Sequence, residues 1–495
     1  MIARSTLQAL AVVLAAGPLI QAAEPAIERP NILFLFLDDL GWRDCGFMGS
    51  DYYETPHLDR LAAQGMIFTN AYSCAANCAP ARACLLSGQY TPRHEVYNVG
   101  TRRQGEPTWG KLQHVAGTNR LRPGIKTWAA CLKEVGYATA LLGKWHLSKD
   151  PLRHGFDLNV GGTHSGSPPR GYFPPHRDAP GLQHRPEGEY LTDFLNQQAV
   201  EFIQAHRDQP WMLYLSHFAV HTPLQAKAEI IGQYEQKRRG QRHDNAVMAA
   251  MIHSVDEGVG RLVATLQATA QTERTMIIFF SDNGGYGPAT SMAPLRGYKG
   301  TYYEGGIREP CFVTWPGTIP AGTKREVPII GVDIYPTLLE VAGASPPNHP
   351  LDGVSLLPLL TAQTRQLPDR ALFWHFPTYL KSYAPATLPR MGHKLAQQRD
   401  PLFRSRPCSI VRHGDWKLHE YFEDGELELY NLQHDVGETT NLATTRSAKA
   451  QQLHQMLIDW RARLAAPVPT APNPNYDAQA EAAARAAVQA TRGAR

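Results

Sequence analysis

Four short, almost wholly apolar runs decide what this chain can fold into: Asn31–Leu37, 138–142, 211–215 and 276–280. Runs this short, without alternation toward a wet face, belong to strands buried on both sides. Between the last two, Met248, Ile252, Val255, Val259, Leu262 and Leu266 recur at steps of four and three, which is one apolar helix face. Shorter helices are expected over 55–64, closed by Gly65, and over 334–341, with a turn at Gly343. Strands alternating with helices predict an α/β fold: a large, mixed, mostly parallel sheet flanked by helices. From about residue 370 the texture changes. Residues 409–419 and 426–430 read as antiparallel strands of a smaller C-terminal α+β domain, and a helix follows over about 448–465.

The N-terminus and the length set the organisation. Residues 1–23 read as a signal peptide, with Arg4, an apolar run over 7–20, then Ala22 and Ala23. That run is too short for a convincing membrane span. A protein exported to the periplasm or secreted, without stable membrane insertion, is therefore expected. The 495 residues exceed one ordinary core. A catalytic domain is expected over 24–370 and the smaller domain over 371–466. The tail, 467–495, is Pro/Ala-rich and reads as disordered, apart from an Ala-rich helix near 478–490. A formal charge of +4 and the lack of any Lys/Arg block do not suit nucleic acid. Seven scattered cysteines do not look like a disulfide scaffold, and their pairing stays open.

Each apolar run ends in polar residues, and in open α/β sheets the ligand sits at the carboxyl ends of the strands. The first run ends in Asp38-Asp39 and the second in Gly143-Lys144-Trp145-His146. The third leads to His217 and His221-Thr222-Pro223, the fourth to Ser281-Asp282-Asn283-Gly284. One edge would thus gather three carboxylates, an amide, imidazoles and a lysine. Three adjacent carboxylates repel without a cation, and oxygen ligands alone suit calcium or magnesium, not zinc. Either acidic pair by itself reads as a turn. Both together, each after a buried strand, read as a metal site of Asp38, Asp39, Asp282 and Asn283. His146 and His221 suit proton transfer near neutrality. Lys299 lies in a segment, 295–308, whose four glycines argue for a loop passing close to something. In Cys78-Ala79-Pro80-Ala81-Arg82, Pro80 fits a first helical turn, which puts Cys78 at the positive helix end, ready to meet an anion. A local disulfide or half a metal site with Cys74 is the other reading of that cysteine.

Taken together, these residues resemble the type I sulfatases of the alkaline phosphatase superfamily. The resemblance runs from about Arg29 to Ala443. It also takes in Thr55-Pro56-His57-Leu58-Asp59, Leu85-Leu86-Ser87-Gly88 after the Cys78 motif, and Gly414-Asp415-Trp416-Lys417-Leu418. It implies that Cys78 is oxidised by a formylglycine-generating enzyme to formylglycine (3-oxoalanine), whose hydrate is the nucleophile. It implies one calcium ion on Asp38, Asp39, Asp282 and Asn283, with Arg82 fixing the hydrate. Lys144 and Lys299 would bind and neutralise the sulfate, His221 would bind substrate and protonate the departing alcohol, and His146 would act as base in the second step. The family has serine where Ala81 stands and threonine where Ser87 stands, which leaves the extent of conversion open. The activity implied is an exported, arylsulfatase-like sulfuric ester hydrolase acting on sulfated carbohydrates and, adventitiously, aryl sulfates. The alternatives are a phosphonate or phosphodiester hydrolase of the same superfamily and a non-catalytic glycan-binding relative. Two aromatic segments are candidates for sugar contacts: 162–175, and Trp374-His375-Phe376-Pro377-Thr378-Tyr379, with His375 as a substrate-binding residue.

Overall fold

The computed structural model describes residues 29–101, 103–176, 179–183, 185–384, 387, 391 and 399–493; the signal-peptide segment 1–23 lies outside them. Nine strands build the main sheet: β1 (Asn31–Leu37), β2 (Met66–Tyr72), β3 (Ala138–Gly143), β4 (Leu158–Val160), β5 (Trp211–Ser216), β6 (Thr275–Ser281), β7 (Arg308–Thr314), β8 (Thr323–Arg325) and β9 (Ile329–Ile330). Their order is β4-β3-β5-β1-β6-β7-β2-β8, with β9 beside β2. From β4 to β6 all neighbours are parallel. Only β7 runs against both its partners, β6 and β2.

The central strand explains why the apolar runs show no alternation. Leu33, Leu35 and Leu37 of β1 enter one core, under the helices Leu191–Ala205 and Ala246–Ala268. Ile32, Phe34 and Phe36 enter the other, under Trp128–Glu134 and Ile334–Ala342. Both faces of the strand are dry, so both parities are apolar.

A second, antiparallel sheet lies toward the C-terminus. Its strands are β10 (Ala371–Phe376), then, past a small ribbon of β11 (Leu380–Lys381) and β12 (Phe403–Ser405), β13 (Cys408–His413), β14 (Trp416–Tyr421) and β15 (Leu427–Asn431). The helix Ser447–Leu464 covers it, with Trp460 stacked on Phe373 at 4.8 Å. Two expectations change here. Trp374 and His375 are not loop residues but buried parts of β10, paired with β13. Trp374 Nε1 donates to the Ser73 carbonyl, 2.8 Å away, so this segment packs the two sheets' domains together. The tail is also tied down. Asn473 and Gln113 exchange backbone bonds with Lys111 and Ala471, and the helix Ala478–Gly493 is held by Glu481 on Arg406 at 2.6 Å. Alanine favours the helix locally, and that ion pair lies between residues 75 apart in sequence.

The Gly414–Leu418 motif acquires a physical role. Lys417 of β14 is fully buried between Glu304, at 2.9 Å, and Glu438, at 3.0 Å. Glu304 ends the loop that carries Lys299, and it also accepts from the Tyr72 hydroxyl at 2.6 Å. Removing one partner of a buried ion pair leaves uncompensated charge, typically a loss of about 3–5 kcal/mol. Lys417→Met is therefore expected to lower the denaturation midpoint strongly. A near-wild-type urea midpoint would show that the network is not a structural tie.

Candidate active site

Adjacent parallel strands end at one edge, so the residues just past β1, β3, β5 and β6 meet there. The helix Cys78–Ser87 brings its first residue to the same place. Carboxylate oxygens of Asp38, Asp39 and Asp282 and the Cys78 Sγ all lie within 4.8 Å of one another. Side chains of consecutive residues in an extended strand would point to opposite faces. Asp39 departs from the strand with φ 61, and that left-handed turn lets both carboxylates converge.

Basic residues hold this cluster. Arg82, wholly buried, donates to Asp282 at 2.9 Å, to the Lys144 carbonyl at 3.0 Å and to the Ser216 hydroxyl at 2.6 Å. One guanidinium thus joins the ends of β3, β5 and β6 behind Cys78. Lys144 Nζ donates to Asp38, and Lys299 Nζ lies 2.6 and 2.7 Å from the two Asp39 oxygens. Asn283 Nδ2 donates to Asp39 at 2.8 Å. Lys299 and His221 keep the most exposure, 11 % and 15 % of their side chains, while Asp38, Asp39, Asp282, Arg82 and Lys144 have at most 1 %. The site therefore opens past Lys299 and His221.

The two histidines are held differently. His146 stands in a left-handed turn, φ 70, with its N–H on the Thr163 carbonyl at 2.9 Å and a buried Nδ1 that has no partner among the described residues. Gly166 packs against its ring, where any Cβ would clash. His221 Nδ1 contacts the Thr222 carbonyl at 2.7 Å and so carries the hydrogen, because a carbonyl only accepts. Its Nε2 is 3.9 Å from Asp39. The Tyr172 hydroxyl donates to the His221 carbonyl at 2.8 Å. Gly166 and Tyr172 both belong to 162–175, so that loop supports the histidines. The sequence reading missed this role, and missed Ser216, although Ser216 ends a buried strand as the acidic pairs do. His217 is buried at the same edge, its two ring nitrogens without a partner among the described residues, and burial lowers it to about 3. His375 is not brought here: its nitrogens meet the Ser409 hydroxyl, 2.8 Å, and the Pro467 carbonyl, 3.0 Å.

Charges tune one another across the cluster. Burial, then Asp38, pushes Asp282 up to about 7, and burial with Cys78 raises Asp38. Burial would raise Asp39 as well, but Lys299 and His221 outweigh it and hold it low. Burial likewise opposes the Cys78 thiolate, yet Lys144 and Lys299 bring that thiol down to about 6. His146 is driven well below its usual range by burial and then by Lys144 and Arg82. His221 is raised: Asp38 and Asp39 overcome burial and Lys299.

The three carboxylates are balanced by Lys144, Lys299 and Arg82, so an arriving anion would meet no net attraction from them. Asp38 Oδ1 and Asn283 Oδ1 are buried oxygens without a hydrogen-bond partner among the described residues. Buried oxygens of that kind, beside two further carboxylates, fit a hard divalent cation.

The family model described as Sulfatase matches residues 30–344. The chain belongs to the sulfatase family. This sulfatase is 33% identical to a "Sulfatase" of Formosa agariphila over 85% of its own length and 86% of the relative's. It is 34% identical to the N-acetylgalactosamine-6-sulfatase of Canis lupus familiaris over 76% and 73%. Solved structures of Ps i-CgsB, free and in complex with k-i-k-neocarrahexaose, match it at 26% identity with TM-scores of 0.70 and 0.69, covering 94% of this chain and 98% of theirs. It is a type I sulfatase of the alkaline phosphatase superfamily and a sulfuric ester hydrolase.

Proposed function

We propose that this sulfatase acts outside the cytoplasm on sulfated carbohydrate, through a formylglycine made from Cys78 and one calcium ion held by Asp38, Asp39, Asp282 and Asn283. The observation that carries the reading is the pair of buried, unpartnered oxygens, Asp38 Oδ1 and Asn283 Oδ1, in the cluster around Cys78. When present, the ion supplies positive charge against sulfate oxygens and the modified side chain supplies the nucleophilic oxygen. Cys78 stands at a helix N-terminus, where the backbone favours an anion. Arg82 fixes the strand ends behind it and keeps Asp282 in place. With the carboxylate charge met by the ion, Lys144 and Lys299, whose charges both act on Cys78, are left to bind the sulfate charge. His221, at the mouth with Nδ1 fixed on Thr222, presents Nε2 to a leaving oxygen and delivers its proton there. His146, neutral and buried, takes a proton in the second half of the reaction.

The names of two proteins it resembles, an N-acetylgalactosamine-6-sulfatase and a protein solved with k-i-k-neocarrahexaose, support carbohydrate as the substrate class. The apolar run over 7–20, followed by Ala22 and Ala23, supports export to the periplasm or medium, with modification by a formylglycine-generating enzyme before or during export. Metal removal tests the reading. A ligand bound only by the native state contributes about 2.7 kcal/mol at a hundred times its Kd. Exhaustive chelation is expected to abolish activity and lower the Tm, with both restored by calcium. Full activity in a preparation shown by elemental analysis to be metal-free would refute the assignment of Asp38, Asp39, Asp282 and Asn283.

A further inference from the structure

A cleft of about 340 Å³ lies beside the loop that carries Lys299, at the small end of the roughly 300–1,000 Å³ of small-molecule sites. Glu106 and Trp109 line it from one stretch of chain, Lys381, Ser382 and Tyr383 from a second, and Leu402 from a third. Tyr383 connects it to the catalytic site. Its ring stacks on Tyr298 at 5.6 Å and 28°, and Tyr298 is the chain neighbour of Lys299. Arg404 lies 4.3 Å over the same ring and donates to the carbonyls of Lys381, at 3.0 Å, and Lys299, at 3.3 Å. Two hydroxyls in this wall, Tyr383 Oη and Ser382 Oγ, are buried with no partner among the described residues. Burial pushes the phenol up to about 12 even though Arg404 and Lys299 oppose it, so it stays a neutral hydroxyl.

Aromatic rings beside hydroxyls that lack partners match a pyranose, which has an apolar C–H face and a rim of hydroxyl groups. A buried hydroxyl without a partner is a cost that a ligand's own hydroxyl relieves. Trp and Tyr supply large apolar area with a polar edge. We propose that this cleft binds the sugar ring next to the sulfated one, so that the enzyme's substrate is a chain of at least two sugars. The proposal rests on the carbohydrate-sulfatase reading above and names the part of the substrate beyond the sulfated residue.

The test compares 4-nitrophenyl sulfate with a panel of sulfated monosaccharides and the matching oligosaccharides of chondroitin and carrageenan. Wild-type enzyme is expected to prefer an oligosaccharide over its own sulfated monosaccharide. Trp109→Ala and Tyr383→Phe are expected to raise KM for that oligosaccharide tenfold or more, leaving kcat/KM for 4-nitrophenyl sulfate within twofold. The aryl ester thereby reports folding and chemistry independently of the cleft. Cleavage of the aryl sulfate with no preference for any oligosaccharide, or equal losses on both substrates in the variants, overturns the subsite. No cleavage of any sulfate ester by metal-loaded wild-type enzyme overturns the functional reading itself.

Discussion

Cys78→Ala is expected to eliminate turnover on every sulfate ester while leaving the fold intact. The residue is buried at the head of a helix, within the influence of the Lys144 and Lys299 charges, and contributes chemistry more than volume. Truncating its side chain should cost near the average of about 1 kcal/mol for a single substitution, so the Tm should move only a few degrees. The wild-type peptide carrying residue 78 is expected to be about 18 Da lighter than the cysteine form, as a covalent change of this kind requires. Cys78→Ser makes a useful companion, because it keeps a hydroxyl at the same point without the aldehyde. Turnover by Cys78→Ala above trace level, or an unshifted wild-type peptide in a fully active preparation, would remove Cys78 from the centre of the mechanism.

His221→Ala is expected to act through the leaving group. A sugar alkoxide leaves poorly without a proton, whereas 4-nitrophenolate needs little help. General acids contribute roughly 10²–10⁴-fold, and that loss should fall on carbohydrate sulfates and largely spare the aryl ester. The geometry motivates this: the Thr222 carbonyl holds Nδ1, Tyr172 holds the His221 backbone, and Nε2 is left 3.9 Å from Asp39 on a side chain that keeps 15 % exposure. Equal losses on both esters would assign His221 to binding or to support of Asp39 instead. Measuring phosphate diester cleavage in the same series also shows whether the proton donor serves sulfate alone.

Much of the catalytic edge was legible before any coordinates. The strands β1, β3, β5 and β6 are buried on both faces, and the interior positions of such strands are apolar almost throughout. A polar residue directly after one of them is therefore conspicuous, as Asp38, Lys144 and Asp282 are. The pair β2 and β7 was not legible. The β7 strand contains Arg308, Glu309 and Pro310, and its place is set by pairing with β6 and β2, far away in the chain. In the tail the Ala-rich helix was legible and its anchoring was not, for a related reason: composition describes local preference, while Arg406 and Glu481 are brought together only by the fold.

The chain's own order of apolar runs and polar ends determined the four central strands, the edge where they end and the residues gathered there, because a short apolar run closed by polar residues is a local signal of a strand buried on both faces. Tertiary structure alone decided how those residues are joined. Lys144 pairs with Asp38 and Lys299 with Asp39, Gly166 packs on His146, and Lys417 of the small sheet pins the loop bearing Lys299. It also took His375 from a sugar contact to a buried strand position. Each of these depends on close contact between segments separated in the chain, and no local pattern of residues encodes which distant group will fill a buried charge's neighbourhood.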